Sequence, residues 1–436
     1  MNSLEFLFNP VIISVVILCT LCICRVNVLL ALIISAIIGG KVAGMHSGEI
    51  MNVFISGMGQ NSETALSYIL LGTFAAAMAH TGLADILAKR ITLFAKNNRY
   101  MILLILTLLA CASQNLIPVH IAFIPVIIPP LIGVMNKIKL DRRSVACSLA
   151  FGLVTPYIIF PAGFGLIFQR LLADNMTING MQISVDDVWK SVWILGLGLF
   201  CGLMWAVFIS YRKPREYEDI QFRPVKRRSL RFTGSHYITL CAAGATLLVQ
   251  LLTKSLPLGA IIGLAIIFGM RAIDPNKMDT LINEGIGLMG YVAFVMLVAA
   301  GFAGVIKSTG GIDALVNGII PLMLGSKLLA AFLMLLLGLF ITIGIGTSFG
   351  TIPILAVLFV PVFVNLGFNP MEAVAVFAAS AALGDAGSPA SGTTLGPTQG
   401  LNMDGQHNHI KDTCIPTFLH YNIPLIIFAL IAVILF

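Results

Sequence analysis

Charge is what this chain has least of. Asp, Glu, Lys and Arg make up 10% of its 436 residues, against about 25% in soluble domains, which excludes an ordinary solvated globule. Other absences narrow the class further. No GxxxxGK[ST] run occurs, which argues against an ATP-driven pump. No ring-forming filter and no row of regularly spaced arginines points to a channel. Ten-residue segments of alternating polarity are missing as well, which excludes a membrane β-barrel. Seven of the eight cysteines lie inside apolar segments, where they act as small hydrophobes. Cys19-x-x-Cys22 has no second half, so no transition-metal site and no disulfide framework are expected.

Long apolar runs fill the space. Hydrophobic residues supply 58% of the chain and the mean hydropathy is +0.98. VIISVVILCTLCIC, SVWILGLGLFCGLMWAVFIS and NIPLIIFALIAVILF approach the roughly 20 residues that a helix needs to cross about 30 Å of hydrocarbon. The expected fold is therefore an all-α polytopic membrane protein. The first run lacks a basic leader and a small-x-small cleavage site, so it reads as a span and not a signal peptide. The net charge of +7 records which loops face the cytoplasm and does not imply nucleic acid. Arg212 to Arg231 holds eight basic residues against three acidic ones, whereas Ala173 to Asp187 holds no Lys or Arg. Counting crossings from those loops places both termini outside.

The chain is similar to itself. FAAAMAHTGLADIL (Phe74 to Leu87) matches FAGVIKSTGGIDAL (Phe302 to Leu315) at six of fourteen positions, displaced by 228 residues. The same displacement carries Ile124-Pro125 onto Ile352-Pro353 and Pro161-Ala162 onto Pro389-Ala390. Register held through separated blocks indicates duplication. The halves are expected at residues 1–211 and 235–436, joined by a basic cytoplasmic linker at 212–234. Each unit crosses an odd number of times, so its copy inserts upside down, the inverted-repeat plan of many secondary transporters. An amphipathic piece is expected in each half, at Leu83 to Ala95 and Ile312 to Leu324.

Each half also breaks its apolar helices twice with Pro, Gly and polar residues. The four interruptions are ASQNLIPVH, VTPYIIFPAGFG, GIGTSFGTIP and GDAGSPASGTT. Unpaired backbone at membrane depth is tolerated only inside protein or along a wet cavity, so these breaks should face one. Asp385 is the only acidic residue in them, and an intramembrane charge is a functional candidate. With Thr347, Ser348, Thr351, Ser388, Ser391, Thr393 and Thr394 it would form an oxygen site coupling Na+ or H+. Ser113, Gln114, Asn115 and His120 of the first half would contact an organic solute or carry a proton. Packing is the competing role for any one hydroxyl. His407-x-His409, near Cys414 and His420, is weak metal spacing. Asp85 and Asp313, at matching positions, read as helix caps. A serine hydrolase is disfavoured because no histidine pairs with Ser388; no enzyme activity and no organic cofactor are expected.

SQNLIPVHIAFIPVIIPPL, GTSFGTIPIL and GDAGSPASGTTLGPTQGLNMDGQHNHIKDTCIPTFLHYNIPL resemble the NhaC-like Na+/H+ antiporter family of the ion transporter superfamily. More narrowly they resemble a bacterial subgroup regarded as amino-acid transporters, including histidine permeases. The resemblance implies inverted repeats, each with a re-entrant hairpin and a broken helix. It places the hairpin tips at Ser113-Gln114-Asn115 and Thr347-Ser348. It places the helix breaks at Pro161-Ala162-Gly163, counted with the substrate-binding residues, and at Ser388-Pro389-Ala390-Ser391. The Ser-Asn-Thr tips of the related dicarboxylate carriers are missing, which disfavours a dicarboxylate. The function implied is secondary transport of a small amino acid, histidine included, across the bacterial inner membrane and coupled to Na+ or H+. The alternative is Na+/H+ exchange with no organic solute. The lipid bilayer and a small-molecule substrate are the expected partners, with a homodimer also implied by the superfamily.

Overall fold

A computed structural model describes residues 9–24, 26–59, 62–82, 98–115, 124–218, 233–253, 255–311, 326–345, 348–389 and 391–436. Among them every regular element is helical, the form that satisfies all backbone polar groups within one segment where no water is available. In the first half lie α1 (Pro10–Ile23), α2 (Val28–Val42), α3 (Ser47–Met58), α4 (Ser62–His80), α5 (Arg99–Asn115), α6 (Ile124–Lys137), α7 (Arg142–Ile159), α8 (Phe164–Ile178) and α9 (Val185–Trp205), which runs into a π-helical turn at Ala206–Ser210. The second half holds α10 (Gly234–Thr253), α11 (Leu256–Gly269), α12 (Met278–Ser308), α13 (Lys327–Ile345), α14 (Ser348–Asn365), α15 (Pro370–Ala382), α16 (Gly392–Leu401) and α17 (Ile415–Leu435), the last entered through a π-helical turn at His409–Cys414. Among the described residues four stretches, Val185–Ser210, Met289–Ser308, Ser348–Asn365 and His409–Leu435, are long and apolar enough to cross a membrane. The two expected amphipathic pieces, with Asp85 and Asp313, lie outside the described residues.

Helix boundaries recur at a fixed interval. α2 and α11 begin at Val28 and Leu256, α5 and α13 at Arg99 and Lys327, α7 and α15 at Arg142 and Pro370, and α8 and α16 at Phe164 and Gly392. α4 and α12 end at His80 and Ser308, and α6 and α14 at Lys137 and Asn365. Every pair is separated by 228 residues, the interval that also separates Tyr157 from Asp385. Contacts between the halves pair up in the same way. A methyl group on Gly57 of α3 would meet the Ala300 carbonyl at 2.9 Å and the Gly301 Cα at 3.1 Å, both on α12. At the corresponding Gly285 it would meet the backbone nitrogen of Thr73, the counterpart of Gly301, at 2.3 Å. Small residues thus bring α12 backbone to backbone against α3 and α4.

The two broken spans lie side by side in opposite directions. α7 and α8 are bent by 48° over residues 160–163. The start of α7 sits beside the end of α16, where Arg142 Nη1 donates to the Leu401 carbonyl at 2.9 Å. At the other end Ser191 of α9 donates to the Met371 carbonyl in the first turn of α15 at 2.6 Å. Local chemistry starts each helix: Asp141 caps α7 through the Arg143 N–H, and Asn369 with Glu372 forms a capping box on α15. The start and end of α13–α14 share one end of the molecule, since Lys327 bonds Glu372 at 2.8 Å and α14 ends just before Asn369.

A buried ion pair fixes the linker end. Arg142 is 0% exposed; it donates to both carboxylate oxygens of Asp404, at 2.6 Å to Oδ1, and to Asn136 Oδ1 at 2.7 Å. The Tyr217 ring, from the chain that follows α9, lies 4.3 Å from its guanidinium carbon, and the Tyr217 hydroxyl accepts the Arg142 backbone N–H at 2.9 Å. Burial alone would raise the Asp404 carboxyl; the hydrogen bonds and charge of Arg142 outweigh it and hold it below the usual carboxylate range. The stability this pair contributes is therefore present above the ordinary carboxylate pKa and lost only as pH falls through the depressed one. Arg142→Met should cost about 3–5 kcal/mol, because it strands a buried carboxylate, and Arg142→Met with Asp404→Leu should recover most of that; thermal unfolding in detergent measures both.

Candidate functional site

Where the two broken spans cross, Asp385 is buried among hydroxyl groups. Its Oδ2 accepts from the Tyr157 hydroxyl at 2.8 Å and the Ser348 hydroxyl at 3.0 Å. Its Oδ1 accepts from Ser391 at 2.5 Å and lies 3.4 Å from Thr393 Oγ1, whose hydroxyl donates to the Asp385 carbonyl at 2.7 Å. Tyr157 comes from α7, Ser348 from the first residue of α14, and Ser391 and Thr393 from the start of α16. Each of the five is at most 6% exposed.

The sequence around the second break explains how a carboxylate reaches that position. α15 stops at Ala382, and Gly384 and Gly387 adopt φ of +86° and +104°, left-handed values that a residue with a Cβ rarely takes. Unwinding frees backbone groups, and Asn422 of α17 takes two of them, accepting the Gly384 N–H at 2.9 Å and donating to the Ala386 carbonyl at 2.8 Å. Ser391 then caps α16 by accepting the Thr393 N–H at 3.2 Å. Its hydroxyl hydrogen is left for Asp385. In the first break Gln169 plays half of that role, donating to the Ile158 carbonyl at 3.0 Å.

Aromatic rings close one side of the site. Phe349 packs against Tyr68, Tyr157 and Phe168 with centroids 5.7, 5.3 and 5.7 Å away. The Tyr68 hydroxyl is buried with no hydrogen-bond partner among the described residues. Hydroxyls and imidazoles occupy another side, where Thr398 Oγ1 lies 2.8 Å from His409 Nδ1 and 2.9 Å from Thr413 Oγ1. A surface cleft lined by Thr177, Asp187, Lys190, Asn369 and Phe436 includes none of the groups that touch Asp385.

Residues 148–431 match a family described as the Na+/H+ antiporter family, and residues 9–94 match a second model described as a Na+-H+ antiporter family. The chain belongs to the Na+/H+ antiporter family. Over 97% of its length it is 47% identical to an uncharacterised membrane protein of Vibrio parahaemolyticus, 99% of which is covered. It is 43% identical to a Bacillus subtilis protein provisionally named amino acid transporter YuiF, with 97% of this chain and 99% of that protein covered. The YdaH transporter of Alcanivorax borkumensis shares the fold, with a TM-score of 0.61 at 13% identity over 88% of this chain and 87% of that one. The antiporter-family chain is thus a membrane protein with the fold of a secondary transporter.

Of the site residues expected from the antiporter-family sequence, the fold brings together Asp385, Ser348, Ser391 and Thr393. Thr394 is buried beside them but donates to the Ser388 and Ser391 carbonyls, at 2.5 and 2.9 Å, and so shapes the break. Ser388 and Thr351 are buried within a few residues of Asp385 and Ser348. Gly163 is buried in the first break, with φ of +56°; Ala162 is half-buried and Pro161 exposed. Ser113, Gln114 and Asn115 form the last turn of α5, but their side chains, with His120 and Thr347, lie outside the described residues. His407 and His409 bond Thr413 and Thr398, and among the described residues no group of three or more His, Cys, Asp or Glu could hold a metal. Two residues that build this site went unrecognised in the sequence. Asn422 looks like any polar residue in a span, but Tyr157 was within reach, because the repeat interval leads from Asp385 directly to it.

Gly387 gives a test of the break. A Cβ there would lie 2.5 Å from Phe418 Cβ, whereas at Gly405, with φ of +76°, nothing lies within 4 Å. Gly405→Ala should cost about 1 kcal/mol from backbone strain alone. Gly387→Ala should cost several times more, read as the larger drop in thermal midpoint in detergent.

Proposed function

We propose that this protein is a secondary transporter that moves a small amino acid, with histidine a candidate, across the bacterial inner membrane, coupled to H+ or Na+ at Asp385. The observation that carries the reading is a shortage of protons around one oxygen. Tyr157 and Ser348 hydroxyls lie 2.7 Å apart and each lies within 3.0 Å of Asp385 Oδ2, which makes three contacts. With Asp385 ionised there are only two hydroxyl hydrogens to fill them. One proton on the carboxyl completes a ring in which each oxygen donates once and accepts once. A cation among the same oxygens would supply the missing charge in its place, and an all-oxygen donor set suits a hard ion. A single positive charge is thus taken up or released, as ion coupling requires.

Two inverted repeats, residues 1–211 and 235–436 around the linker 212–234, fit this role. Paired contacts such as Gly57 with Gly301 and Gly285 with Thr73 are what a two-fold relation between the halves produces. Oppositely directed broken spans favour an axis in the membrane plane, with the site where the two breaks meet. The thirteen residues of α15 and the ten of α16 span about 20 and 15 Å on the two sides of the break, so Asp385 falls near mid-depth. Ser348, at the head of α14, reaches that level, which favours a hairpin that enters partway. With the basic linker in the cytoplasm, both termini lie outside.

Na+/H+ exchange without an organic solute is the second reading, favoured by the family description and by the purely oxygen-donor surroundings of Asp385. Proteoliposomes separate the two. Amino-acid accumulation driven by an imposed sodium or proton gradient, histidine included, supports the first reading. Sodium-driven pH change with no solute present, and no amino-acid uptake, supports the second. In either case Asp385→Asn should reduce gradient-driven flux at least about a hundredfold, since losing a buried charged hydrogen-bond centre is worth about 3 kcal/mol or more. Tyr157→Phe should weaken it by about tenfold. Full coupling in Asp385→Asn would remove Asp385 from the mechanism.

A further inference from the structure

His409 opens the π-helical turn before α17, and its ring reaches back across the second break. Nε2 lies 3.0 Å from the Pro389 carbonyl, within the unwound segment that carries Asp385. Nδ1 lies 2.8 Å from Thr398 Oγ1 on α16. The ring therefore bridges the two sides of the break from a third element. Such π-turns are found often at functional sites.

Hydrogen counting shows what a second ring hydrogen would add. A carbonyl only accepts, so Nε2 carries a hydrogen. Thr398 has a single hydroxyl hydrogen, and three groups surround its oxygen: the Thr394 carbonyl at 2.9 Å, Thr413 Oγ1 at 2.9 Å and His409 Nδ1 at 2.8 Å. In a neutral ring with hydrogen on Nε2, Nδ1 is a bare lone pair competing with that carbonyl for the same hydrogen. A second ring hydrogen removes the conflict. Nδ1 then donates to Thr398, and Thr398 keeps its hydrogen for its other neighbours. Both bonds of the ring become charge-assisted.

We propose that His409 is a second proton-binding site of this transporter, one that holds the break at Pro389 closed onto α16 when protonated and releases it when neutral. The site is separate from Asp385 and does not depend on which solute or ion is carried. Its ionisable surroundings are few. On its own turn Asp412 is turned away to Arg215, at 2.7 Å, Lys411 is exposed, and the Cys414 thiol lies 3.5 Å from Nε2. From the start of α7, Arg142 is engaged by Asp404 and Arg143 by Asp141. α16 contributes no ionisable side chain. His407, in the loop before the turn, bonds Thr413 at 2.7 Å, and burial pushes it down to about 4, so it stays neutral while an ordinary imidazole titrates. His420, from the body of α17, is bonded elsewhere, to Ser210 and to the Pro416 carbonyl.

Hydrogen–deuterium exchange of the purified full-length protein in detergent, followed for residues 386–401 from pH 5 to 8.5 and corrected for intrinsic rates, tests this without reference to transport. Wild type should lose protection by on the order of tenfold as the pH rises, the worth of one charge-assisted hydrogen bond. His409→Gln, which cannot be protonated, should be poorly protected and flat across the range. His407→Gln should keep the wild-type profile. Asp385→Asn, whatever its overall protection, should keep the pH dependence, so a failure of Asp385 as the coupling group would leave this result standing. A flat wild-type profile, or an unchanged pH dependence in His409→Gln, overturns the proposal. A fold check is built in, because α9 and α12 peptides of His409→Gln should match wild type; if they do not, His409→Lys, permanently charged and able to donate to Pro389, must give a flat, protected profile or the proposal falls.

Discussion

Everything around the second break serves one carboxylate that has been taken out of water. An Asp at the centre of a bilayer span costs about 2.5–3.5 kcal/mol on insertion scales and more in isolation. A hydrogen bond to a charged group returns about 1.5–3 kcal/mol. Two donors would offset the lower figure, and Asp385 has hydroxyls from Tyr157, Ser348, Ser391 and Thr393 around it. The surplus indicates a pocket organised around charge, one whose hydroxyls can turn from donating to a carboxylate to offering lone pairs to a cation. Hydroxyls allow this where amides do not, because a single rotation exchanges the two roles.

The 228-residue interval leads from Asp385 to its partner across the site, a tyrosine. Under the two-fold relation proposed above, a residue on the axis would meet its own counterpart, and the residue 228 positions before Asp385 is Tyr157, 2.8 Å away. Had both copies kept an aspartate, two carboxylates in contact would have forced one to remain protonated. A phenol at the same place donates a hydrogen bond and leaves a single ionisable acid at the crossing. The halves thus share their backbone plan down to the first residue of α8 and α16, yet differ in chemistry where they touch.

Much of this was legible from the residues alone. Apolar runs gave the helices their length, and a displacement found in short sequence blocks recurs in helix boundaries that no identity marks, such as Arg99 and Lys327. Asp385, Ser348, Ser391 and Thr393 stood out because polar groups in a span are expensive and need a reason to be there. Tyr157 did not stand out, since an aromatic residue in an apolar helix is ordinary and only its hydroxyl contact gives it a role. Asn422 was hidden for a different reason: it sits in the sequence of α17, and what it does is decided by the backbone left open at Gly384 and Ala386. Thr394 and Pro161 show the opposite limit. Composition places hydroxyls and prolines at a break without telling which face the ligand and which only satisfy or turn the chain.

The two approaches to Asp385 are unequal, and that inequality has a direction. Phe164 and Phe168 belong to the first two turns of α8 and Phe349 to the first turn of α14; both helices run toward the end where Asn369 and Pro370 lie, so the aromatic wall stands between the carboxyl and that end. Toward the linker end the neighbours are Thr393, Thr394, Thr398 and Thr413, then His409 and His407. Desolvating a charge against rings is far more costly than passing it between oxygens. Under the proposed function, an ion or proton leaving Asp385 in this conformation would meet its lower barrier on the linker side, and passage to the other side would require the ring of Phe349 to part from Tyr68 and Phe168. Phe349 follows Ser348 directly, so any displacement of α14 that took the Ser348 donor from Asp385 would also part this ring from Phe168, and in the proposed transporter release of the charge would be tied to the side from which the site is reached.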